Sequence, residues 1–141
     1  MKYMIMMMGS QRDLDMLTAN GQADRRPWTL EEAQALHKFM RDWNNALVES
    51  GEFVEAHGLS APAHARRVSV RDGVPVVTEG PYPETQEVLV GYTIVDCESF
   101  DRATEIAAQL ADTPFPEHAQ LDRPWYVDVR PIDDQAPEPE V

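Results

Sequence analysis

Two amphipathic helical segments, one in each half of the chain, constrain the fold more than any other feature of the sequence. The first opens with a capping box, since Thr29 lies three residues before Glu32 and each can satisfy a backbone N–H of the other. Apolar residues then recur at steps of three and four until Gly51, a residue suited to the left-handed end of a helix. The second helix is predicted over residues 100–111, with Ser99 as its cap. Each helix has one apolar face, which a sheet would cover.

Strand-like segments lie on either side of these helices. Residues 2–8, 52–58 and 88–95 have the pattern of strands, and alternation in residues 125–132 predicts the last one. Asp72-Gly73 lies between two shorter alternating segments and is a strong signal for a β-hairpin. The polar segment between the first strand and the first helix predicts a long loop, with a turn at Asn20-Gly21.

The order of these elements defines the fold class. It is β-α-β-β-β-β-α-β, and removal of the hairpin leaves βαββαβ, the ferredoxin-like motif. We therefore predict an α+β protein, a ferredoxin-like βαββαβ domain with an inserted β-hairpin. Its two helices cover one face of an antiparallel sheet, and the other face needs a partner. We expect a homodimer in which a second copy covers that face, with the methionine-rich first strand and Trp125 in the contact.

Charge and composition exclude several classes of partner. The chain has 25 acidic and 12 basic residues and a net charge of −13, which disfavours binding to nucleic acid or to an anionic membrane. The apolar segment from Tyr3 to Met8 is too short for a membrane span or a secretory signal. Cys97 is the only cysteine of the sequence, which fits a reducing compartment. These features predict a cytoplasmic protein without nucleic-acid or membrane partners.

The end of the chain differs in composition from the rest. Residues 133–141 carry four acids, two prolines and no basic residue. Such a segment buries too little apolar surface to offset the entropy of ordering it. We predict one domain over residues 1–131 and an acidic, proline-rich flexible tail over residues 132–141.

A stiff corner, Gly80-Pro81-Tyr82-Pro83, precedes the strand at residues 88–95. Each proline fixes its own φ angle and extends the residue before it, so the corner can aim a side chain or simply turn the chain. Three carboxylates, those of Glu79, Glu84 and Glu87, lie around it. Like charges held together in a dry cleft raise one another's pKa, which would create a general acid or base near neutral pH. The same carboxylates can instead be ordinary turn residues.

The segment from Thr78 to Leu110 and the closing Val-Asp-Val-Arg-Pro-Ile resemble the YCII-related superfamily. They are similar in particular to the subgroup with the motif Asp-Gly-Pro-Phe-Ala-Glu-Thr-Lys-Glu. Here that motif reads Glu79-Gly80-Pro81-Tyr82-Pro83-Glu84-Thr85-Gln86-Glu87. The opening "MKYMIMMMG" and the segment "ESGEFVEAHGLSAP" fit the same layout. The resemblance implies a dimeric ferredoxin-like α+β barrel whose members are largely uncharacterised.

The resemblance also implies several kinds of function. One branch is proposed to use a His-Asp pair in a cleft, some relatives are lyases that act on chlorinated hydroxyquinones, and related barrels move protons on small ring compounds. The histidine of that branch lies on the first helix, where this chain has Met40, and His37 is one turn away. Many genes of the subgroup lie beside genes for extracytoplasmic-function sigma factors, which implies a regulatory or accessory role.

Candidate site residues come from these patterns. His57 ends a strand before Gly58, and imidazole suits proton transfer near neutral pH, so His57 and Glu79 are the predicted catalytic acid and base. The alternative for His57 is a solvent-facing histidine at a strand end. The predicted ligand-binding residues are Tyr82, Glu84, Glu87, Trp43 and Arg130. Trp43 is equally suited to the core, and Arg130 can clamp a carboxylate or pair with a glutamate.

The sequence predicts no metal and no cofactor. No two histidines have zinc-binding spacing, no Asp-rich loop matches a calcium site, and no glycine-rich loop is suited to phosphate. His37, His64 and His118 stand among polar or proline-rich neighbours, and we expect them at the surface.

Three functions from different classes fit these observations. The first is a cofactor-independent lyase or isomerase that carries out acid–base chemistry on a small aromatic or polyketide-like molecule. The second is a non-catalytic small-molecule-binding or regulatory module, linked to transcription or to a biosynthetic cluster. The third is an accessory protein whose dimer face is its specific surface.

Overall fold

The computed structural model describes residues 1–17, 28–116 and 124–135, together with residues 137 and 139. Four strands form an antiparallel sheet, in the spatial order β2-β5-β1-β6. They are β1 (Lys2–Gly9), β2 (Phe53–Gly58), β5 (Val88–Asp96) and β6 (Asp128–Pro131). This order and the helices described below confirm the ferredoxin-like α+β fold.

The two predicted helices are confirmed, with the predicted caps. In α2 (Leu30–Ser50) the Thr29 hydroxyl accepts from the Glu32 N–H, and the Glu32 carboxylate accepts from the Thr29 N–H. The helix ends at Gly51, whose φ of 80° lies in the left-handed region. In α3 (Phe100–Ala108) Ser99 caps the first turn, and a 3₁₀ turn (Gln109–Asp112) continues the helix.

The inserted hairpin is also confirmed. Its strands β3 (Arg66–Arg71) and β4 (Val74–Glu79) pair with each other in a separate two-stranded sheet. Asp72 and Gly73 have φ angles of 52° and 77°, the two positive values that a two-residue type I′ turn requires.

The structure differs from the predictions in two segments. Residues expected in a long loop form α1 (Gln11–Leu17), because Ser10 and Asp13 accept each other's backbone N–H and so cap a helix. The expected turn at Asn20-Gly21 lies outside the described residues. The last strand is shorter than predicted, since Trp125 and Tyr126 precede β6.

The two faces of the four-stranded sheet have different surroundings. Tyr3 and Ile5 are 1% and 0% exposed and belong to the core between the sheet and the helices. Alternation therefore directs Met4 and Met6 to the opposite face, which we call the open face. Their cross-strand neighbours Ile94 and Tyr92 lie on the same face. The homodimer that would cover the open face stays a prediction.

No helix in the described part of the chain is both long enough and apolar enough to cross a lipid bilayer. The predicted domain boundary at residue 131 and the flexible tail beyond it stay predictions.

Candidate functional site

A cavity of about 400 Å³ lies between the helical face of the sheet and α2. This volume lies within the range of sites for small organic ligands. Its lining residues come from the ends of β1 and β2, from α2 and from the segment before β6. Most of its wall is apolar, and it includes Met7, Met8, Leu36, Met40, Phe115 and Trp125. The cavity can therefore desolvate a ligand that is largely hydrocarbon.

An irregularity in the sheet shapes this end of the cavity. The register of β1 and β5 shifts between Met7 and Met8, so one residue of β5 has no direct partner there. Val90 lies at the shift and lines the cavity together with both methionines. Beside it, a side chain at Gly9 would come within 3.3 Å of Val90. The bulge thus adds an apolar side chain to the cavity wall.

Two groups suited to proton transfer lie at the cavity, on different helices. Asp13 of α1 accepts a hydrogen bond of 2.9 Å from the Ser10 N–H, which fixes one carboxylate oxygen. His37 of α2 is an exposed residue that lines the rim. Carboxylate and imidazole are the side chains most used as general acids and bases. The expected surface position of His37 is confirmed, but that surface is the cavity mouth.

Two further residues with polar groups line the cavity. Tyr126 lines the cavity, and its hydroxyl donates to the Glu87 carboxylate. Trp28 packs edge-to-face on Phe115, with ring centroids 5.9 Å apart and an interplanar angle of 83°. Among the residues that the structure describes, none accepts a hydrogen bond from the buried indole Nε1–H of Trp28. Because buried donors nearly always have an acceptor, we interpret this N–H as a donor to an oxygen atom of a ligand.

The predicted catalytic residues His57 and Glu79 do not line the cavity. His57 lies on the open face, where its Nε2 is 3.2 Å from Glu55 Oε2 and its ring packs on Tyr92 at 5.7 Å. Glu79 ends the hairpin, 3.5 Å from Arg66, with 76% of its side chain exposed. A catalytic role for this pair stays a prediction that the variants below test.

The predicted ligand-binding residues are dispersed over the molecule. Trp43 is 5% exposed and donates its indole N–H to the Ile106 carbonyl, so it is a core residue. Glu87 reaches the cavity only through Tyr126. The carbonyl of Glu84 accepts from the Arg12 N–H, which joins the corner to α1.

Tyr82 and Arg130 lie elsewhere. Tyr82 stacks under Arg67 at 5.5 Å and lines a second groove of about 330 Å³. In that groove the Ser60 hydroxyl is 2.6 Å from His64 Nδ1. Arg130 is on β6 and is the cross-strand neighbour of Met4 on β1, which places Arg130 on the open face.

The residues that sequence reasoning missed are Asp13 and Trp28. Ser10-Gln11-Arg12-Asp13 has the spacing of a capping box directly after a strand, and this signal would have placed Asp13 on a helix at the end of the sheet. His37 is one residue from Leu36 and three from Met40, at the edge of the apolar stripe of α2.

The groups with clearly shifted pKa values lie away from the cavity. Two hydrogen bonds from Arg102, both of 2.9 Å, hold the pKa of Glu52 below its ordinary value. Burial raises the pKa of the Cys97 thiol, which makes the thiolate scarce at neutral pH. Glu52 joins the start of β2 to α3 through Arg102, and the buried Cys97 thiol donates to the Ser99 carbonyl just before α3, so we assign both groups to stability.

Fold and cavity together define a ferredoxin-like α+β protein with an apolar cleft between its sheet and its first long helix. The YCII-related domain matches residues 1–119, and the chain belongs to this family. An uncharacterised protein of Rhizobium meliloti (strain 1021) is 27% identical over 96 residues, which are 68% of this chain and 77% of the relative. The closer resemblance to the Asp-Gly-Pro-Phe subgroup stays a prediction.

Proposed function

We propose that the cavity binds a compact, ring-bearing carbonyl compound and that Asp13 and His37 move a proton on it, as in a cofactor-independent isomerase or lyase. The observation that carries the proposal is the presence of a carboxylate and an imidazole on different helices at one apolar cavity. An apolar ring gains from desolvation by the aromatic wall.

The proton transfer is an enolisation. Either Asp13 or His37 takes a proton from the carbon next to the carbonyl. The electron pair of that C–H bond moves into a C=C bond as the carbonyl oxygen becomes an enolate. The N–H of Trp28 donates to that oxygen and stabilises its charge. The other of these two residues returns a proton to carbon, at the same position or at another one.

The test uses 2-tetralone, a two-ring ketone, in D₂O. Enzymatic enolisation replaces its C1 hydrogens by deuterium, which ¹H NMR follows as loss of the C1 signal above the rate in buffer alone. We expect Asp13→Asn and His37→Gln each to slow this exchange by about a hundredfold, the usual contribution of a general acid or base.

Matched variants separate the two candidate sites. Asp42→Asn and His64→Gln change the same residue types outside the cavity and should exchange at the wild-type rate. His57→Gln and Glu79→Gln should do so too. If only His57→Gln and Glu79→Gln lost the exchange activity, the catalytic residues would be His57 and Glu79, as predicted from the sequence.

A non-catalytic binding module is the second candidate. It is favoured by the hydrogen bond from Tyr126 to Glu87, because this bond already occupies the hydroxyl of a residue that lines the cavity. Binding of 2-tetralone without any deuterium exchange above buffer would favour this module. A regulatory or accessory role linked to transcription or to a biosynthetic cluster belongs to this candidate.

The proposal includes a homodimer formed through the open face. The centre of this face is apolar and is made by Met4, Met6, Tyr92 and Ile94. Ile94 is already buried within one copy, and a second copy would cover the half-buried Met4, Met6 and Tyr92, as sheet-on-sheet packing does in other proteins.

A further inference from the structure

The edges of the open face carry charges in a regular arrangement. The register aligns Glu55, Ile94, Met4 and Arg130 in one row across the four strands. It aligns His57, Tyr92, Met6 and Asp128 in a second row. Each row is apolar in the middle and has an acid at one end and a base at the other.

These ends are far apart within one chain. Three strand spacings separate Glu55 on β2 from Arg130 on β6, a distance of about 14 Å. The two residues therefore cannot form an ion pair within the protomer. Arg130 and Asp128 are exposed, and neither forms an ion pair within the described part of the chain.

A second copy changes this. A twofold axis parallel to the strands, between β5 and β1, places the β2 edge of one copy over the β6 edge of the other. Because this operation keeps the rows in register, Glu55 of each copy faces Arg130 of the other copy. In the second row, His57 faces Asp128. Within these two rows, like charges do not face each other.

From this arrangement we infer that Glu55 and Arg130 form two symmetric ion pairs between copies and set the orientation of the dimer. The inference rests on the homodimer included in the proposed function and adds its partner contacts. Arginine and carboxylate favour such a role because their paired hydrogen bonds are directional. The apolar centre supplies most of the affinity, and the rim pairs select one orientation.

The experiment is a charge exchange measured by sedimentation velocity over a concentration series. We expect Glu55→Arg and Arg130→Glu each to weaken the dimer by about tenfold or more, because each places like charges opposite each other. The double variant E55R/R130E restores the opposite signs and should recover the wild-type Kd within about threefold. Arg71→Glu, the same change on the hairpin, should leave the Kd unchanged.

The outcomes separate this inference from the dimer itself. If the wild-type protein is a dimer but E55R/R130E has a Kd no lower than the single variants, the pairing is overturned and the dimer itself is not. A twofold axis perpendicular to the strands would instead place Arg130 opposite Asp128 of the other copy. If the double variant D128R/R130D recovered the wild-type Kd, that axis would be assigned and the Glu55–Arg130 pairing would be overturned. A monomeric wild-type protein at all concentrations contradicts both. Circular dichroism of each variant verifies that the fold is kept.

Discussion

At the scale of single residues, two glycines face each other where β2 and β5 pair, and their surroundings differ. A side chain at Gly91 would lie 3.3 Å from the His57 carbonyl and 3.7 Å from the Met7 sulfur. A side chain at Gly58 would meet no atom of the described residues within 4 Å. The close approach of the two strands therefore needs glycine on β5 only.

We predict that Gly91→Ala lowers the free energy of unfolding by about 1 kcal/mol or more, because a backbone carbonyl inside a sheet has little room to move. Gly58→Ala is the matched control and should change stability by less than about 0.5 kcal/mol. Urea denaturation of the two variants gives the comparison. If both variants lost the same free energy of unfolding, the residues around Gly91 would have moved to accommodate the added methyl group.

The Glu52–Arg102 pair makes stability depend on pH. The pKa of Glu52 is lowered in the folded protein, so its stabilisation is complete above the unfolded pKa and disappears as pH falls through the folded one. We predict that Glu52→Gln costs about 1–2 kcal/mol at pH 7 and less at pH 3. The exposed Glu98→Gln is the control. A cost that is the same at both pH values would contradict the assignment.

At the scale of elements, the caps explain where the helices begin and end. The capping box of α2 is exposed and uses only the side chains of Thr29 and Glu32, so its contribution can be measured without disturbing the core. The hairpin is a second local unit, since its turn residues adopt the positive φ angles that a short connection requires.

We predict that Thr29→Ala lowers the free energy of unfolding by about 1 kcal/mol, the usual cost of an N-cap. Thr104→Ala removes a threonine inside α3 whose hydroxyl bonds the Phe100 carbonyl, and it should be nearly neutral or stabilising. Thermal melts compare the two. A smaller effect of Thr29→Ala than of Thr104→Ala would argue against the cap.

Local signals predicted these elements but did not predict which residues line the cavity, for a physical reason. Caps, the Asp72-Gly73 turn and alternation act over a few residues, so the sequence displays them directly. The cavity forms where α1, α2 and the segment before β6 meet, and Asp13 and His37 lie 24 positions apart in sequence. His57 and Glu79 had suggestive neighbours in sequence, but the sheet and the hairpin direct them away from the cavity.

At the scale of the whole molecule, the two faces of the sheet have different roles in this account. The helical face holds the core and the cavity. The open face has an apolar centre with charged edges and is suited to a second copy of the chain. A ligand in the cavity and a partner on the open face can therefore be bound independently, and variants of one face should leave the other unchanged.

The most direct test of the central claim, that the cavity is the ligand site, is a ¹H–¹⁵N spectrum of the tryptophan indole groups during titration with 2-tetralone. The chain has three tryptophans: Trp28 and Trp125 line the cavity, and Trp43 is bound to the Ile106 carbonyl in the core. The account predicts that the indole signals of Trp28 and Trp125 shift, with the larger change at Trp28, whose N–H gains an acceptor, and that the Trp43 signal stays in place. Unchanged signals of Trp28 and Trp125 at saturating ketone would contradict it.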